Sequence, residues 1–129
     1  MKLSKSETWT FPRCNFFTLD VKHWVSGDDN KWNVYVYFYP EFPNFEDLKE
    51  ELMTPLPIEF NWGNTYCIWN RNEKGEVFSK CYGSDYQHIH QERFAGFSTK
   101  DDAFEVFNDA EEYWTILAQF CTALGKRSS

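Results

Sequence analysis

Residues 32–39, WNVYVYFY, alternate without a break, with Trp32, Val34, Val36 and Phe38 on one side and Tyr35, Tyr37 and Tyr39 on the other. A period of two is the mark of a strand, whose successive side chains point to opposite faces. Both sides are bulky, so the segment reads as a central strand or as one that presents a row of tyrosines. Pro40 and Pro43 end it. Upstream, FTLDVKHWV (17–25) repeats the pattern, with Phe17, Leu19, Val21, His23 and Val25 on one face, and SGDDNK turns the chain between the two.

The rest of the chain can be sorted against this pair. TYCIWNR and EVFSKCY predict a hairpin across Asn72-Glu73-Lys74-Gly75, with Gly75 placed for the positive φ such loops require. A three-residue loop, Glu73-Lys74-Gly75, would set Cys67 opposite Cys81 and allow a cross-strand bridge. FEDLKEELM (45–53), after a capping Asn44 and before Pro55, predicts a short helix with Phe45, Leu48 and Leu52 inward. From Ser98 or Thr99, the residues Phe104, Phe107, Ala110, Trp114, Leu117 and Cys121 recur at three and four, which predicts an amphipathic helix closed by Gly125. Between Gly83 and that helix, the stretch 86–94 reads as a strand with polar residues on both faces, as at a sheet edge.

At 129 residues the chain is the size of one domain, and 1–129 is taken as such. The expected fold is α+β: an antiparallel sheet of about four to six strands, with the C-terminal helix and the short helix packed on one face. Phe104, Phe107, Trp114 and Leu117 should meet Phe17, Leu19, Val21, Val34, Val36 and Phe38 in its core. The start, MKLSKSETW, holds no apolar stretch, and the four cysteines form no C-x-x-C pair. A cytoplasmic protein with reduced thiols and no membrane association is the expectation.

Three groups of residues carry candidate chemistry. His88 and His90 stand two apart, close enough on one strand face to share a metal ion such as Zn or Mn, with His23, Asp85 and Glu92 as further ligands. No G-x-S-x-G, Gly-rich phosphate loop or H-E-x-x-H accompanies them, so the expectation is no cofactor, with the metal as the alternative. The second group is acidic. Residues 41–60 hold six carboxylates against Lys49, and residues 101–112 hold six more with no base, so the net charge of −7 is localised. On the last helix Asp101, Glu105, Asp109 and Glu112 make a stripe of roughly 16 Å, suited to gripping a basic surface. The third is aromatic: Phe, Tyr and Trp form 20% of the chain, and Tyr35, Tyr37 and Tyr39 with Trp24, Trp62 and Trp69 exceed what packing alone requires.

These features point to a non-enzymatic binding protein, of the inhibitor or immunity type, that occupies the basic surface of a protein partner. That partner could itself handle nucleic acid, but the acidity argues against direct nucleic-acid contact by this chain. Small size and an acidic, Asn-rich, Ala-poor composition suit a phage or mobile-element product. A metal-dependent hydrolase on His88 and His90, a small-ligand binder lined by the tyrosine row, and a homodimer through the polar edge strand are the alternatives.

Overall fold

The two alternating segments do pair with each other, and the sheet grows outward from them. The computed structural model describes residues 4–26, 29–61, 63–86 and 99–128, and the side chains of 6–25, 31–61, 63–86 and 104–123. Among these residues five strands form one antiparallel sheet: β1 (Ser4–Thr10), β2 (Phe17–Ser26), β3 (Asp29–Phe38), β4 (Tyr66–Arg71) and β5 (Val77–Asp85), in spatial order β1-β2-β3-β5-β4. One helix, α1 (Thr99–Ser128), crosses one face over β2 and β3. The fold is therefore α+β, with β3 central as its two bulky sides require. No helix among the described residues is long and apolar enough to cross a membrane.

The core lies between α1 and the inner face of the sheet. Phe17, Leu19 and Val21 of β2 and Trp32, Val34, Val36 and Phe38 of β3 are buried there, as the alternation predicts. Each such side chain contributes roughly 1.5–3 kcal/mol on leaving water. From α1 come Val106, Ala110, Tyr113, Leu117 and Cys121, with Phe107 and Trp114 on the flanks. Phe104, expected inside, is 76% exposed. The buried stripe starts at Val106 and passes through Tyr113, which turns Phe104 to the outer side of the first turns.

Two further expectations are corrected. The short helix is a single 3-10 turn, Phe45–Asp47, and Asn44 makes no side-chain cap. Its carbonyls and those that follow are taken by side chains: the Lys80 ammonium donates to Phe45 O (2.5 Å) and Leu48 O (3.0 Å), and the Tyr82 hydroxyl and, from within the segment, Thr54 Oγ1 (2.9 Å) both donate to Lys49 O. A carbonyl so engaged gains little from the i+4 amide of an α-helix, and the segment stays a strap over β4 and β5. It is pinned to α1 as well, through Phe42 stacked on Phe120 and through the Asn61 amide donating to the Tyr113 hydroxyl at 2.8 Å.

The cross-strand bridge is also absent, and all four cysteines are free thiols. The hairpin turns at Gly75, φ +83°, with the Asn72 side chain accepting from the amides of Lys74 and Glu76. Above it Arg71 pairs with Val77 but Asn70 pairs with Ser79, so Phe78 is an extra residue. That bulge shifts the register by one, Cys67 meets Tyr82, and Cys81 meets Ile68 on the opposite face. The edge strand β1 was not foreseen, because SKSETWT lacks an apolar alternation. Of the segment 86–94, only Tyr86 is described, and residues 87–94 lie outside the described residues.

Candidate functional site

Register and alternation place Thr18, Asp20, Lys22 and Trp24 of β2, Tyr35 and Tyr37 of β3, Cys81 and Gly83 of β5, and Tyr66 and Ile68 of β4 on the face away from α1. This outer face is built from rings that lie down on the sheet. Gly83 permits it: a Cβ there would sit 2.5 Å from Tyr35 Cδ1 and 2.9 Å from Val34 O. The Tyr35 ring covers the glycine and meets Tyr66 edge-on at 4.9 Å. The Lys22 ammonium bridges Tyr35 and Trp24, 5.4 and 5.9 Å from their ring centres.

The hydroxyls of the tyrosine row are partly engaged. Tyr39 and Thr18 share a hydrogen bond of 2.8 Å, and Tyr37 stands opposite Cys81 across the β3–β5 pair. Burial pushes Tyr35 up to about 12 and Tyr37 further, in both cases above the ordinary tyrosine value, with Tyr66 and Cys81 respectively adding to the effect. Burial also pushes the Cys81 thiol up to about 12, so it is a neutral packing group and not a nucleophile. What the face leaves in water is apolar: Trp24 is 42% exposed and Ile68 45%.

The acidic groups separate from one another in space. Glu41, Glu46, Asp47, Glu50, Glu51 and Glu59 on the strap are all exposed. Among the described residues Glu50 pairs with Arg71 of β4 in a bidentate contact, 3.0 and 3.2 Å, which holds its carboxyl below the usual range. The helical stripe does not form as expected. Glu112 is exposed and Glu105 half-buried, but Asp109 is 8% exposed and accepts the Tyr86 hydroxyl at 2.9 Å. Spacing of three and four puts Asp109 between Val106 and Tyr113, which is the core side. Asp101 falls in the first turn of α1, where its side chain is not among those described.

The metal expectation can be located only in part. His88, His90 and Glu92 lie outside the described residues. His23 stacks on Trp32 with ring centres 4.1 Å apart, and Trp32 in turn stacks on Trp9 at 5.9 Å. Among the described residues no three His, Cys, Asp or Glu side chains gather to hold a metal ion.

Lys80 was not singled out from the sequence. It is 4% exposed, held by two carbonyls and flanked by the rings of Phe45 and Trp69, 4.1 and 4.2 Å away. Burial pushes its pKa below the ordinary lysine value. A lysine between Ser79 and Cys81 gives no sequence signal of this, because its inward direction follows from the pairing of β5 with β3, where Lys80 stands opposite Phe38. A scan of family models matches nothing in this chain, and neither curated proteins nor solved structures give a match.

Proposed function

We propose that this protein is a non-enzymatic binding protein that occupies the basic surface of a protein partner, as an inhibitor or immunity-type protein does. The observation that carries the reading is the outer sheet face, where Trp24 and Ile68 stand exposed beside half-buried Tyr35, Tyr37 and Tyr66 on paired strands. Rigid aromatic anchors with a polar surround are what interface centres are made of. The exposed carboxylates of the strap supply charge that steers a basic partner and raises its rate of association. The acidic surface thus rests on residues 41–59 together with Glu111 and Glu112, and not on Asp109.

The test starts from a protein captured by the wild type, purified, and measured in isolation. Trp24→Ala should weaken its binding about tenfold or more at any salt concentration. Glu46→Lys/Glu51→Lys should weaken binding at low salt and flatten the salt dependence, with melting temperature kept in both variants. Unchanged affinity in both would remove the reading.

A further inference from the structure

We propose that the free edge of β4 binds the partner by taking an extended, lysine- or arginine-rich segment as an added strand. The proposal rests on the basic-partner reading and names its place and mode. Among the described residues the sheet ends on β4, with no strand on its far side. An edge strand presents unpaired amides and carbonyls, and proteins usually blunt it with Lys, Pro or charge. Tyr66, Cys67, Ile68, Trp69 and Asn70 include none of these, and the charge that follows, Arg71, is already held by Glu50. The opposite edge differs: along β1, Ser6, Glu7, Thr8 and Thr10 are exposed and polar, and Trp9 is stacked on Trp32 and meets Phe107 edge-on.

Charge selects the occupant. The strap runs along the inner side of this edge, with Cys67 Sγ 4.0 Å from Lys49 O, Lys80, the strand partner of Trp69, donating to Phe45 O and Leu48 O, and Glu50 on Arg71, so that Glu46, Asp47 and Glu51 stand beside it. Exposed carboxylates therefore follow the inner side of this edge, while Ile68 and Tyr66 offer apolar contacts on its outer side. A second copy would bring the same carboxylates against each other, whereas a basic segment neutralises them. Main-chain bonding supplies affinity in such strand addition, and alternate side chains supply selectivity.

The probe is a labelled peptide of alternating lysine and valine, measured by fluorescence anisotropy alongside amide hydrogen exchange of the full chain. Two control peptides carry glutamate for lysine, or N-methyl groups on alternate amides. The expected result is binding that falls about tenfold or more with either control and with Ile68→Lys, and protects the amides of 66–71. Equal binding of the N-methylated peptide, or protection only outside 66–71, overturns strand addition. If Glu46→Lys/Glu51→Lys still abolishes binding in that case, the basic-partner reading survives without the edge. No binding of the lysine peptide under any condition overturns the edge proposal, and the reading then stands or falls with the captured-protein measurement above.

Discussion

The fate of Asp109 shows how a single residue's environment outweighs its type. Spacing made it one of four surface carboxylates, yet it is turned inward and its partner is the Tyr86 hydroxyl, whose own pKa burial drives upward. A buried acceptor that loses its donor keeps the desolvation penalty and loses the compensation. Tyr86→Phe should therefore lower stability by about 1–3 kcal/mol, seen as a reduced urea midpoint at constant slope. Charge reversal separates the two positions further. Asp109→Lys should fail to fold, because it places an ammonium against the core beside Val106 and Tyr113, while exposed Glu112→Lys should stay within about 0.5 kcal/mol of wild type. Equal urea midpoints for Asp109→Lys and Glu112→Lys would mean that Asp109 faces water. A period of three and four names a helix face in sequence, but a carboxylate at its margin belongs to either side until the partner strand is known.

Among the elements, the strap between β3 and β4 depends least on its own sequence. Its polar groups are closed by side chains reaching up from β4 and β5, and Lys80 supplies two of those bonds. Lys80→Met keeps the stem but leaves the Leu48 carbonyl without its donor and the Phe45 carbonyl with the Leu48 amide alone. The expected loss is about 1–3 kcal/mol, lessened because the desolvation of a buried charge disappears with it. Faster hydrogen exchange should appear at the amides of Leu48 and Thr54, which bond within the strap, and not at those of α1. Uniform change across the molecule, or none, would show that Lys80 does not hold the strap. The same element marks the limit of reading a fold from residues alone. β2, β3, the hairpin and α1 were legible because their alternation or helical period is driven by burial on one side. The helix expected at 45–53 was not realised, since its propensity was outweighed by tertiary hydrogen bonds. The Phe78 bulge, which parts Cys67 from Cys81, has no local signal at all. Of the site, the tyrosine row was legible as a face, but its packing over Gly83 and the proximity of Tyr66 follow from sheet order, which adjacent sequence does not dictate.

Taken as a whole, the molecule buries an unusual number of neutral acids, and this sets how its stability depends on pH. Burial pushes Tyr35 and Tyr82 from 10.0 up to about 12, Cys81 from 9.0 up to about 12 and Cys121 up to about 11, with Tyr37 and Tyr86 moved in the same direction. Each has a folded pKa above its unfolded one, so above pH 9 the unfolded chain gives up protons that the folded chain keeps. The stabilisation is then complete below the unfolded values and is lost as pH rises toward the folded ones. Lys80 works in the opposite sense, since its lowered pKa adds stability as pH approaches 10.5, but it is outnumbered by the phenols and thiols. The urea midpoint should accordingly hold level between about pH 7 and 8.5 and fall steadily from about pH 9 upward. Cys81→Ala should make the decline shallower near its onset without moving it, because the thiols are the first of these groups to ionise in the unfolded chain and Cys121 remains. Self-repulsion of a chain already at −7 acts in the same direction, and salt distinguishes the two contributions. Added salt screens repulsion between exposed carboxylates but leaves the proton linkage of buried groups almost untouched. A decline that high salt removes would therefore belong to surface charge, a level midpoint up to pH 11 would contradict the burial of these side chains, and a decline that persists in salt is the result the fold requires.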